Sequence, residues 1–172
     1  MQRRAAVRKV LLREAVRREI EEAGCATSSV LTERLRVTHN ELFYVLDVLR
    51  KDGRVEAIYL GRIALWCTSR TAAEAVTARL ADALKSLLCG RVKFATPKEA
   101  LWLVAEDPEM RKLFSRHMPL RSNATSMQIM DALMTKAFGR PIETSRGHVY
   151  TIYCPHRQHV YRDAFTGISS QG

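Results

Sequence analysis

Apolar residues recur at helical spacing through most of the chain, and the breaks between the periodic stretches mark its elements. Between about residues 5 and 23, Val7, Leu11, Leu12, Val16, Ile20 and Ala23 form one apolar band among Arg and Glu, and Gly24 stops it. Residues 27–36, TSSVLTERLR, predict a short second helix opened by Thr27 or Ser28, with Val30, Leu31 and Leu35 inward and Val37 closing the turn. A third helix spans 38–52. Thr38 and Glu41 supply a capping box, Leu42, Val45, Leu46 and Leu49 follow at core spacing, and Gly53 supplies the stop. The period then falls to two: RVEAIYLGRIALWCT predicts a hairpin whose tip is Leu60, Gly61 and Arg62.

A fourth helix, 71–88, opens on Thr71 and Glu74 and carries Val76, Leu80, Leu84, Leu87 and Leu88. Its stripe suits a linker, a helix packed on its own domain, or one pairing with a second copy. The helical grammar then resumes. Thr96, Pro97 and Glu99 open one helix, Asp107 and Pro108 another, and SNATSMQIMDALMTKAFG a third that buries Ile129, Met130, Leu133 and Ala137 before Gly139. RPIETSRGHVYTIY predicts a second hairpin turning near Ser145, Arg146 and Gly147.

Three helices followed by a hairpin, with a tight turn between the second and third, is the order of a winged helix-turn-helix. VTHNELFYVLDVLRKDGRVE resembles the recognition helix, glycine stop and first wing strand of that DNA-binding superfamily, and the resemblance covers roughly residues 5–69. The expected fold is therefore α+β and mainly helical. It comprises a winged helix-turn-helix over 1–70, a linker or dimerisation helix over 71–90, and a second, winged-helix-like unit over 91–172 that ends in a basic aromatic segment.

Composition fits an ordinary folded protein: 47% of the 172 residues are hydrophobic and 27% charged, so disorder is expected only at the ends. No apolar run reaches the length of a membrane span and the N-terminal helix is charged throughout, which predicts an intracellular, cytoplasmic protein. The net charge of +10 favours a polyanionic partner, and it divides equally between residues 1–70 and 71–172, so it belongs to the folded surface. Solubility alone would also account for a positive excess. Four cysteines in such a setting are expected reduced, although scarce Asn and Gln are a thermophile trait compatible with internal disulfides.

The resemblance implies that the polar face of helix 38–52 enters the major groove of double-stranded DNA. Thr38, His39, Asn40, Phe43, Tyr44 and Lys51 are its site residues. Asn40 carries the amide that pairs with an adenine edge, His39 and Tyr44 reach bases or phosphates, and Phe43 meets a thymine methyl. The same residues also suit a plain solvated face, and Asp47 fits a groove poorly. Arg54 and Arg62 would contact backbone or minor groove; Arg146 and His148 hold the equivalent turn of the second unit. Arg3, Arg4, Arg8 and Lys9 suit phosphates or a frayed terminus, and Arg121, Ser122 and Asn123 precede the last helix.

No Gly-rich phosphate loop, nucleophile elbow or paired-carboxylate motif is present, so neither catalysis nor a cofactor is expected. Cys154, His156 and His159, with His148, are the zinc candidates, but their spacing matches no familiar finger. The leading expectation is a transcriptional regulator. A replication or partition initiator with tandem winged helices, or a protein-interaction module of a transcription or repair complex, would use the same units.

Overall fold

The computed structural model describes residues 2–154, with side chains from Arg8 onward. It is α+β and mostly helical, with seven helices and two three-stranded antiparallel sheets among the described residues. The first half runs α1 (Gln2–Ala23), β1 (Cys25–Thr27), α2 (Ser28–Leu35), α3 (His39–Lys51), β2 (Glu56–Leu60) and β3 (Ile63–Cys67). The second repeats that order with one helix added: α4 (Arg70–Leu88), β4 (Phe94–Ala95), α5 (Pro97–Glu106), α6 (Pro108–Ser115), α7 (Ala124–Phe138), β5 (Ile142–Thr144) and β6 (Gly147–Thr151). Both sheets place the last strand of the hairpin in the centre, in the orders β1-β3-β2 and β4-β6-β5.

Local chemistry fixes most of the boundaries. The hydroxyl of Thr38 accepts the Glu41 amide at 3.2 Å and donates to its carboxylate at 3.1 Å, and Thr96 with Glu99 repeats this arrangement at α5. At the end of α3, Gly53 adopts φ 72° and the Arg54 amide reaches back to the Leu49 carbonyl at 2.9 Å. For α4 the cap is Ser69, which accepts the Ala72 amide at 3.1 Å, rather than Thr71. Strands β1 and β4, with three and two residues, were not expected from the sequence; each forms only because a hairpin strand lies alongside to pair with it.

Strands β1 and β3 of the first sheet are covered on both faces, while Glu56 and Tyr59 of the edge strand β2 are exposed. Ala26 and Trp66 point into one core with Val16 and Ile20 of α1, Leu31 of α2 and Leu42, Val45, Leu46 and Leu49 of α3. Strand alternation sends Cys25, Leu65 and Cys67 the other way, into a second core with Leu80, Leu84 and Leu88 of α4, Leu101 of α5, Phe114 of α6, Ile129 and Leu133 of α7, and Tyr150. Ile58, Leu60 and Ile63 pack on that same side. The stripe of α4 is thus the spine of the second core, packed within its own chain, which is one of the three readings its sequence allowed.

Further contacts tie the halves together. The amide of Thr27 donates to the His117 carbonyl at 2.9 Å, and His117 Nδ1 donates to the Cys25 carbonyl at 2.7 Å, so the outer edge of β1 is capped by the loop after α6. Arg121 pairs with Glu33 of α2 at 2.6 Å. The tip of the first hairpin rests on α7, where Gln128 Oε1 accepts the Arg62 amide at 3.3 Å.

All four cysteines are paired, Cys25 with Cys67 and Cys89 with Cys154, which corrects the expectation of reduced thiols. The register explains the first bond, since Cys25 and Cys67 are direct cross-strand neighbours. The second ties the end of α4 to the segment leaving β6.

Candidate nucleic-acid interface

Helix α3 has two faces with different fates. Leu42, Val45, Leu46 and Leu49 are buried, while His39, Asn40, Phe43, Tyr44, Arg50 and Lys51 stand on the exposed side. Phe43 and Tyr44 are 48% and 56% exposed, a large apolar and aromatic surface for side chains that could have been polar without cost to the core. The His39 and Phe43 rings stack at 6.1 Å between centroids, one helical turn apart. Thr38 is committed to its cap and serves the helix start first.

The N-terminal part of α1 lies beside this face. Lys9 sits 5.0 Å above the Tyr44 ring and Arg8 is 3.7 Å from Glu41, so both cations add to the surface of α3 instead of belonging to a detached terminus. Arg8, Lys9, Leu12, Glu41, Tyr44 and Val45 line a shallow cleft of about 220 Å³ between the two helices. The side chains of Arg3 and Arg4 lie outside those described.

Asp47, the residue that suits an anion-binding face least, is neutralised within the helix. Lys51 approaches it at 2.9 Å and Arg50 at 3.0 Å. The Lys51 ammonium, followed by Arg50, holds its carboxyl below the usual carboxylate range. Arg50 went unnoticed in the sequence because it directly follows Leu49, and only the ion pair marks its role. Beyond the glycine stop Arg54 is exposed, and Arg62 is exposed at the hairpin tip although its backbone amide is held by Gln128.

The second unit offers less. Arg146 is exposed in the β5–β6 turn, but His148 is turned into a polar cluster. Its Nδ1 lies 2.9 Å from Asp131 Oδ1, and the buried Tyr150 donates its hydroxyl to the same carboxylate and shares a hydrogen bond of 2.7 Å with Thr135. Burial, then the Asp131 carboxylate, push the Tyr150 phenol up to about 12. This cluster fastens β6 to α7. Arg121, Ser122 and Asn123 are all exposed, but Asn123 caps α7, accepting the Ser126 amide at 2.9 Å, and Arg121 is paired with Glu33.

The zinc reading does not survive for Cys154, whose sulfur is bonded to Cys89. His156 and His159 lie outside the described residues. Among the described residues no group of three or more His, Cys, Asp or Glu side chains is placed to hold a metal, and no helix is long and apolar enough to cross a membrane.

No protein-family model matches the chain, and no curated protein matches it. Among solved structures it is similar to the crystal structure of the hypothetical protein PyrSV_gp04 from Pyrobaculum spherical virus. The TM-score is 0.80 at 24% sequence identity, over 84% of this chain and 95% of that one. The likeness concerns the fold.

Proposed function

We propose that the chain is a double-stranded DNA-binding protein, a transcriptional regulator made of two winged-helix-like units, in which α3 reads the major groove. The observation that carries this reading is the exposed face of α3: Asn40, His39, Phe43 and Tyr44 at its start, and Arg50, Lys51 and Arg54 at its end, on a helix whose other face is locked into the core. An amide, an imidazole and an aromatic ring near the helix N-terminus are the groups that meet base edges, while cations at its far end meet phosphates. The repeated element order and the shared strand order of the two sheets support the fold assignment. The net charge of +10 supplies the sequence-independent part of the attraction. Arg62 and Arg146 at the two hairpin tips are the further contacts to DNA backbone or minor groove, and His148 contributes by holding its hairpin to α7.

A salt series on duplex affinity tests the proposal. Each phosphate neutralised contributes about −0.9 to the slope of log affinity against log salt, so several contacts give a steep line and a flat one refutes it. Selection of bound duplex from a random pool returns the sequence read, and mapping of bound sites in the genome separates a regulator from a replication or partition initiator. A second reading, a protein-interaction module, is favoured by the apolar part of the same region, where Val10 and Leu11 of α1 are exposed close in sequence to the cations that flank Tyr44. That reading predicts unchanged duplex binding in the Asn40→Ala, Tyr44→Ala double variant.

A further inference from the structure

The two halves repeat one another in strand register. On the inward face of the first sheet Ala26 lies opposite Trp66, and on that of the second Ala95 lies opposite Tyr150. Thr27 closes β1 and caps α2; Thr96 follows β4 and caps α5. The opposite faces of the two sheets have diverged. On the first sheet that face holds aliphatic side chains and a cystine, which α4 and α7 cover, with Glu56 exposed at the end of β2 opposite Cys67.

On the second sheet the corresponding face carries Phe94, Val149, Thr151 and Ile142. Tyr153 continues it, because the Ile152 amide still pairs with the Lys93 carbonyl at 2.9 Å while Ile152 packs inward. Phe94 is 55%, Ile142 53% and Tyr153 60% exposed. In the segments framing this face, 91–95 and 140–153, the cations Arg91, Arg140 and Arg146 are exposed; Lys93, across from Ile152, alternates to the other side. The acid there, Glu143, is on the other face, 3.9 Å from His148 Nε2.

Where helices of the protein cover a sheet, the covered part of the face is aliphatic; the exposed face of the second sheet is instead aromatic and flanked by Arg. That second chemistry fits flat rings joined by negative charges. We infer that the open face of the second sheet binds single-stranded DNA, with Phe94 and Tyr153 stacking on two neighbouring bases and the surrounding cations taking the phosphates. The two rings occupy diagonal cross-strand positions, about 7–8 Å apart at this geometry, which suits consecutive unstacked bases. A duplex keeps its base faces hidden, so this surface is distinct from that of α3 and does not depend on it. Rings and cations meet what single-stranded DNA and RNA share, bases and phosphates, and the dT12 and rU12 arms of the test distinguish the two.

The test uses the full chain and fluorescence anisotropy with labelled dT12, rU12 and a 20-base-pair duplex. Phe94→Ala and Tyr153→Ala are each expected to weaken dT12 binding roughly 5- to 150-fold and to leave duplex binding unchanged. Asn40→Ala with Tyr44→Ala is expected to leave dT12 binding unchanged, so failure here and failure of the α3 reading are separable. Phe94→Trp keeps a stacking ring; it should retain affinity, with its indole emission solvent-exposed in the free protein and quenched by dT12. Unchanged dT12 binding in the two alanine variants overturns the inference. So does tighter binding of rU12 than dT12, a buried indole in the free Phe94→Trp protein, which would mean residues 155–172 or another protein surface fill the face, or a loss of self-association in Phe94→Ala without any loss of dT12 affinity.

Discussion

Removing the Cys25–Cys67 bond is the sharpest test of how the first sheet is held, because this bond ties β1 to β3 at the place where the two cores meet. The partners are 42 residues apart in sequence, and a loop of that length restricts the unfolded chain by about 4 kcal/mol. The Cys89–Cys154 bond closes a separation of 65 and is worth a similar amount, about 4 kcal/mol. The two loops do not overlap along the chain, so their effects should add. For a domain of this size each kcal/mol moves the melting temperature by about 2–4 °C. The double variant Cys25→Ala, Cys67→Ala should therefore melt roughly 8–16 °C below the parent. A phosphine reductant added to that variant should lower it by a comparable step, now through the second bond. Thiol titration in denaturant supplies the chemical control: none in the parent, four after reduction. Alanine leaves space where each sulfur was, so the reduced parent is the cleaner arm. Four titratable thiols in the unreduced parent would refute the pairing. A melting temperature that moves by less than about 3 °C on full reduction would refute the reasoning from chain entropy.

Leu65→Ala empties a position between the first sheet and the α4–α7 layer and should cost about 2–5 kcal/mol, seen as a lowered but still single calorimetric transition; two separate transitions would show that the halves are independent. His117 is buried, its Nδ1 donates to the Cys25 carbonyl, and its Nε2 has no partner among the described residues, so burial holds its pKa below the ordinary value. The unfolded chain takes up this proton first, so stability is lost as pH falls below about 6.5, by at most about 1.4 kcal/mol per pH unit, and is flat from this cause above it. Urea midpoints at pH 7.5 and 5.5 should differ more for the parent than for His117→Asn. Asp47→Asn releases Arg50 and Lys51 from their carboxylate, so duplex affinity should rise and its salt slope steepen by about 1–2; unchanged affinity would mean those cations do not face phosphate.

The outward polar face of α3 was legible in sequence because a single helix decides it: once Leu42, Val45, Leu46 and Leu49 go inward, Asn40 and Tyr44 have to point out. The neutralisation of Asp47 was legible in principle as well, being an i,i+4 and i,i+3 pairing with Lys51 and Arg50. The contact of His148 with Asp131 was not legible, because Asp131 lies 17 positions away on α7 and only the docking of the hairpin brings the two together. His117 carried no sequence signal, since its role depends on two carbonyl and amide groups of β1 that are 90 or more positions distant.

The caps at Thr38, Thr96 and Asp107, the stops at Gly53 and Gly139, and the apolar period of each helix are local interactions, and the sequence alone determined the elements they bound. Strand β3, IALWC, also held a hint in its unbroken apolar run, which a strand needs only when both of its faces are buried. Which partners would bury them was decided by the tertiary structure. Strands β1 and β4 are too short to have a period of their own, the cystines depend on register and packing, and α4 looks the same in sequence whether its stripe meets a second copy or the core of its own chain. Each of those outcomes is a long-range contact, and such contacts are chosen by the shape and chemistry of surfaces that exist only after the local elements have formed.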